Sequence, residues 1–177
     1  MPSSNQSTQR DDLMKRDPNR IPKILVTGGR NFGRLPKDKN DPTYTQRKRE
    51  KELVECELNK TAMEHDAQGR KDVHWIFGDA TGVDAIVWKW AKSCYDLYDR
   101  YKAQWTKLGK SAGPLRNQQM LDENPDIELV LAFPGGVGTK DMISRAKKAG
   151  IKVLQFKTPK DYNPKYRGLT FYEREEL

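Results

Sequence analysis

Three short apolar runs in this chain each stop abruptly on a glycine-rich loop, and a stretch with helical character follows each loop. Lys23-Ile24-Leu25-Val26-Thr27 runs into Gly28-Gly29-Arg30-Asn31-Phe32-Gly33, and Val73-His74-Trp75-Ile76-Phe77 into Gly78-Asp79-Ala80-Thr81-Gly82. Glu128-Leu129-Val130-Leu131-Ala132-Phe133 runs into Pro134-Gly135-Gly136-Val137-Gly138-Thr139. Strands this continuously apolar belong to a sheet covered on both faces, and strand–loop–helix alternation makes that sheet parallel. The expected fold class is therefore α/β, with about five parallel strands and helices on both faces. Ligands of such sheets bind beyond the carboxyl ends of the strands, which is the edge where all three loops emerge.

The remaining elements are read around this frame. A loop rich in prolines and turn formers covers residues 34–42, longer than a usual strand-to-helix connection, before a helix over 44–64. Val83, Ile86, Val87, Trp90, Ala91, Cys94, Leu97 and Tyr98 fall on one helical stripe. A weak third strand is expected over 101–105 and a helix from Gly113-Pro114, where proline suits a first turn. A helix over 140–149 closes on Gly150, and a fifth strand covers 151–156. Residues 1–20 are almost devoid of apolar side chains and are expected to form a flexible tail. That leaves one domain over 21–157 and a C-terminal extension over 158–177.

The net charge of +8, concentrated near the first strand and the segment after it, favours anionic partners: phosphate esters, nucleotides or nucleic acid. Cys56 and Cys94 show no CxxC spacing and no histidine cluster, so no disulfide frame, metal site or cofactor is expected. No apolar run reaches bilayer length and the N-terminus is polar, which points to the cytoplasm and away from membranes.

Glycine at a strand end lets backbone N–H groups approach a ligand, and a helix N-terminus just beyond favours phosphate. The candidate site takes Thr27, Gly28, Gly29, Arg30, Asn31 and Phe32 from the first loop, and Gly78, Asp79, Ala80 and Asp84 from the second. The third loop adds Pro134, Gly135, Gly136, Gly138, Thr139 and Lys140, with Thr139 expected to cap its helix and Lys140 to reach an anion. Any one such loop merely turns the chain; three on one sheet edge suggest more. None is a Walker A sequence and none reads GxGxxG, so nucleoside triphosphate hydrolysis and ordinary dinucleotide redox chemistry are not supported. Arg30 and Arg116 suit phosphate, and Asp79 a ribose hydroxyl. Asp84, in a first helical turn, either complements the helix dipole or touches ligand. Phe32 and Trp105 either stack on a base or belong to the core. The Arg47-Lys48-Arg49 cluster reads as a solvated helix face or as an extension of an anion site.

Four motifs in order carry a resemblance: Ile24 to Arg30; Gly78 to Asp84 with Trp90-Ala91; Trp105 through Gly109 to Asn117 with Met120; and Ala132 to Thr139. Over roughly Lys23 to Phe156 the chain resembles the YspA/YpsA-related branch of the SLOG superfamily. The resemblance implies a Rossmann-like fold that binds nucleotides or nucleotide-derived molecules such as ADP-ribose relatives or cyclic signals. It also implies a homo-oligomer, a branch that occurs in phage genomes, and Arg116-Asn117 as ligand contacts. Superfamily members include ligand sensors, single-stranded DNA binders and the LOG phosphoribohydrolases, which cut the N-glycosidic bond of nucleoside monophosphates. Those enzymes pair their arginine with a glutamate in PGGxGTxxE, a position held here by Met142. Methionine cannot stabilise an oxocarbenium ion or position water. Asp141 is expected a quarter turn away, with Met142 on an apolar stripe beside Ile143, Ala146 and Ala149. The expected function is thus binding of a nucleotide-derived small molecule. N-glycosidic hydrolysis is the alternative, with Arg116 and Asp84 as its candidate catalytic groups, and single-stranded nucleic acid binding comes third.

Overall fold

In β1 (Lys23–Thr27) the three central side chains, Ile24, Leu25 and Val26, are all buried, although neighbours in a strand point to opposite faces. Both faces of the sheet are therefore covered, as the uninterrupted apolar runs demand. The computed structural model describes residues 20–67, 72–94, 96–158 and 175–176. Its sheet has the order β3-β2-β1-β4-β5-β6, with β2 at His74–Gly78, β3 at Leu97–Tyr101, β4 at Ile127–Ala132 and β5 at Lys152–Gln155. These five strands run parallel, and the two-residue β6 (Glu175–Glu176) pairs antiparallel with β5 at one edge.

Alternate side chains of the strands serve two cores. Ile24, Val26, Trp75, Phe77 and Leu131 face α1 (Tyr44–Ala67) and α2 (Val83–Cys94), meeting Leu53, Leu58, Val87 and Trp90. Leu25, Ile76, Val130 and Val153 face α4 (Ala112–Glu123) and α5 (Val137–Lys148), meeting Met120, Leu121, Met142 and Ala146. A short helix α3 (Trp105–Leu108) and a 3-10 turn (Gly109–Ser111) precede α4, and neither buries a residue. From β1 the chain winds outward through β2 to β3, then crosses back to β4 on the other side of β1. This reversal opens a crevice between the carboxyl ends of β1 and β4.

Several boundaries differ from the sequence reading. The third strand lies at Leu97–Tyr101, before the expected 101–105, and α2 stops at Cys94. Leu97 and Tyr98 fit the helical stripe only by spacing: Tyr98 lies opposite Trp75 in β2 and its ring is 5.8 Å from that of Phe77. The last helix starts at Val137 instead of residue 140, which moves its N-cap to Gly136. Thr139 is thus a buried residue of the first turn and not the cap. Gly150 closes α5 as expected, with φ 73° and a bond from its N–H to Lys147 O at 3.0 Å. Arg20, placed in the tail by composition, is tied to Glu128 Oε1 at 2.9 Å. The rest of that tail, and residues 159–174 and 177 of the C-terminal extension, lie outside the described residues. No described helix is long and apolar enough to cross a membrane.

Candidate functional site

The three glycine-rich loops are bonded to one another. Gly29 N–H donates to Pro134 O (2.9 Å), Val83 N–H to Gly29 O (3.3 Å), and Thr81 Oγ1 to Arg30 O (2.8 Å). These approaches explain several glycines. A Cβ on Gly28 would strike Val83, one on Gly82 the carbonyls of Gly29 and Arg30, and one on Gly135 the Thr139 hydroxyl. Gly82 also has φ 75°, which L side chains rarely adopt.

Beyond this junction lies a cleft of about 500 Å³ at the β1/β4 crevice. Thr27, Gly28, Gly29, Arg30 and Asn31 line one wall, and Gly78, Ala80 and Asp84 its floor. Gly136, Gly138, Thr139 and Asp141 of the α5 end form the facing wall, Arg116, Asn117 and Met120 of α4 the side, and Trp105, Lys110, Gly113 and Pro114 the rim. Five expected site residues do not line it. Phe32 is a core residue whose ring stacks 6.4 Å from that of Phe133. Pro134 and Gly135 build the loop junction, Lys140 is exposed, and Asp79 stands 3.6 Å from Arg116 Nη1 without lining the cleft.

At the α5 end the first N–H groups have no intrahelical partner, and Gly136 supplies no capping side chain. A Cβ at Gly136 or Gly138 would meet nothing within 4 Å. Unlike Gly28, Gly82 and Gly135, these two glycines relieve no crowding within the fold. They leave the N-terminal turn of α5 bare inside the cleft, where backbone amides and the helix dipole favour an anion.

Arg116 brings a guanidinium to the floor. It lies over Gly78, where a Cβ would collide with it. Its Nη1 stands 3.6 Å from Asp79 Oδ1 and 3.9 Å from Asp84 Oδ2, too far for hydrogen bonds, and its Nε is buried without a partner. Asp84 is buried and accepts from Ala80 N–H at 3.1 Å. Burial pushes its carboxyl up to about 6, against the lowering pull of Arg116 and of the Ala80 amide. The floor thus pairs a charged donor of incomplete hydrogen bonding with a carboxyl that changes protonation near neutrality.

Asn117 braces the α5 wall, its Nδ2 donating to Gly138 O (3.1 Å) and to Asp141 Oδ2 (2.9 Å). Asp141 also accepts from Arg145 Nε at 2.9 Å. The sequence reading turned Asp141 away from the site, yet with Met142 fully buried as expected, Asp141, tied to Asn117, lines the cleft. Trp105, weighed as a base-stacking or a core residue, lines the cleft and is exposed, so its core alternative does not hold. Lys110, Met120 and Val137 also line the cleft without having been candidate contacts. Composition gave one signal, the Gly109-Lys110-Ser111 run just ahead of Arg116.

Strand order, helix placement and a cleft at the reversal point define a Rossmann-like α/β protein. No family model matches the chain. Over 88 residues it is 38% identical to the Gene 61 protein of Mycobacterium phage D29, a match that covers 46% of this chain and 69% of that protein. The chain belongs to the family of this phage protein.

Proposed function

We propose that the protein is a cytoplasmic binder of a nucleotide-derived small molecule, of the ADP-ribose or cyclic-nucleotide kind, that senses, carries or sequesters it. The observation that carries this reading is the bare N-terminal turn of α5, where Gly136 and Gly138 leave open space that the fold itself does not require. A phosphate group there would accept from the free amides, with Arg116 facing it across the floor. The SLOG-like motifs of the sequence support the same assignment.

A second reading, N-glycosidic hydrolysis, draws on Asp84, a buried carboxyl with a raised pKa beside an arginine. The wall where the LOG-type enzymes place their glutamate contributes none here, since Met142 is buried in the core. Binding is therefore the better-supported function. Calorimetry with ADP-ribose, adenosine monophosphate and 3′,5′-cyclic adenosine monophosphate tests it. At least one should bind, and Arg116→Ala should weaken that binding. No heat from any of the three at millimolar concentration overturns the proposal. Rapid release of free adenine from the monophosphate would promote the hydrolase instead.

A further inference from the structure

Trp105 is 44% exposed at the rim of the cleft, while Trp75 and Trp90 are buried in the core on the other side of the sheet. Packing of its own element does not explain its position. Neither α3 nor the 3-10 turn after it has a buried residue, so this segment contributes nothing to either core. The indole instead lies across the start of α4, where Gly113 makes room for it: a Cβ there would come within 3.2 Å of Trp105 Cη2. The backbone just before α3 is anchored to the loop after β2, Ala103 N–H donating to Asp79 Oδ1 at 3.3 Å.

One face of the indole is taken by Arg30, whose guanidinium carbon stands 4.8 Å from the ring centroid. Arg30 belongs to the β1 loop on the opposite wall, and its backbone carbonyl is fixed by the Thr81 hydroxyl at 2.8 Å. Its side chain reaches Trp105 at the cleft mouth and is exposed. A guanidinium is flat and stacks on an aromatic face much as a nucleobase does.

We propose that Trp105 and Arg30 form the base subsite of the cleft, which takes the planar heteroaromatic base of a nucleotide on the indole face that Arg30 now covers. The inference rests on the nucleotide-binding reading and specifies which groups recognise the base. Arg30 swings outward as the base enters, then lies over its far side, so the base is held between an aromatic ring and a cation. Stacked face to face with the base, neither group aims donors at a base edge, so the subsite tolerates different bases, as stacking platforms do.

Adenosine monophosphate carries a base where ribose 5-phosphate carries its anomeric hydroxyl, and this difference isolates the subsite. Calorimetry on the full chain should give the monophosphate about 10- to 100-fold tighter binding, the usual worth of one stacked base. Trp105→Ala should abolish the preference for the monophosphate over ribose 5-phosphate, and Trp105→Phe should retain most of it. Arg30→Ala should reduce it in part, and the monophosphate but not the sugar phosphate should quench a tryptophan emission that Trp105→Phe lacks. Equal affinity of the wild type for the two compounds overturns the base subsite while leaving a phosphate site intact. A base advantage that survives in Trp105→Ala also overturns it, as would a Trp105→Ala effect confined to self-association, which would make the exposed indole an interface residue. If neither compound binds, the nucleotide-binding reading fails and this inference fails with it.

Discussion

Gly136→Asp should move stability and ligand affinity in opposite directions. Gly136 is the N-cap of α5, its φ of −95° lies outside the positive-φ region that only glycine adopts readily, and its Cβ would enter empty space. Aspartate is among the best N-cap residues and improves on glycine by a few tenths of a kcal/mol. Its charge adds about 0.3–1 kcal/mol against the helix dipole. The variant should therefore gain about 0.5–1.5 kcal/mol, which raises the melting temperature of a chain this size by roughly 1–5 °C. For ligand the same carboxylate is a like charge about 4–6 Å from a bound phosphate. At an effective dielectric of about 20 this costs on the order of 3–4 kcal/mol, or a loss of affinity of about 100- to 1000-fold. Thermal unfolding by circular dichroism and calorimetry with the best binder read the two halves. Gly135→Ala is the contrast: its Cβ would overlap the Thr139 hydroxyl, and strain of that kind costs about 1–3 kcal/mol. A drop of several degrees in Gly136→Asp would show that the fold needs this glycine. An unchanged affinity would remove phosphate from the α5 end.

Ionisation of Asp84 is disfavoured in the folded protein, with its carboxyl pushed up by burial from 3.8 to about 6. Its contribution to stability is therefore full below about pH 4 and lost as pH rises through 6, a change of about 3 kcal/mol. Urea unfolding from pH 4 to 8 should show Asp84→Asn gaining on the wild type across that window, and parallel profiles contradict the burial argument. Arg116→Ala should weaken binding of a phosphorylated ligand by about 1.5–3 kcal/mol in calorimetry, with Arg116→Lys recovering only part, since a guanidinium is replaced by a point charge. An effect below about 0.5 kcal/mol, within the range of an ordinary surface ion pair, would take Arg116 out of the site. Met142→Glu should lose several kcal/mol of stability and release no adenine from adenosine monophosphate, because the side chain is fully buried in the core. A stable, active Met142→Glu would refute this placement.

The sheet was legible because its central strands are covered on both faces and so cannot afford polar residues, which makes Ile24 to Val26, Trp75 to Phe77 and Val130 to Phe133 conspicuous. The edge strand β3 has no such constraint: Leu97 is exposed, and Asp99, half exposed, pairs with His74 at 3.0 Å, so composition gave no clear strand signal there. In the site, local sequence located the loops but not the direction of each side chain. Phe32 and Arg30 sit two residues apart in one loop, yet one stacks in the core and the other crosses the cleft mouth. Asp84 and Arg116 were legible as charged residues near glycine turns. Their proximity over Gly78 depends on α4 crossing the end of β2, a long-range contact that spacing along the chain does not reveal.

The glycines of one motif serve different ends, and that bears on how far the motif argues for function. In Pro134-Gly135-Gly136-Val137-Gly138-Thr139, Gly135 is fixed by its neighbours: Thr139 and the Gly29 amide occupy the space a Cβ would need. A chain could keep Gly135, and with it the joined loops and the crevice, without binding anything. Gly136 and Gly138 lack that internal reason, so a side chain there would be tolerated by the folded protein and resisted only by something approaching from the cleft. The two carboxylates facing that space differ in the same way. Asp141 is already bound by Asn117 and Arg145, both at 2.9 Å, and is committed to holding α5 against α4. Asp84 accepts one backbone N–H and faces an arginine outside hydrogen-bond distance. The capacity for new hydrogen bonds therefore lies at the Asp84–Arg116 floor and the bare α5 turn. The nucleotide-derived ligand proposed above would draw on both.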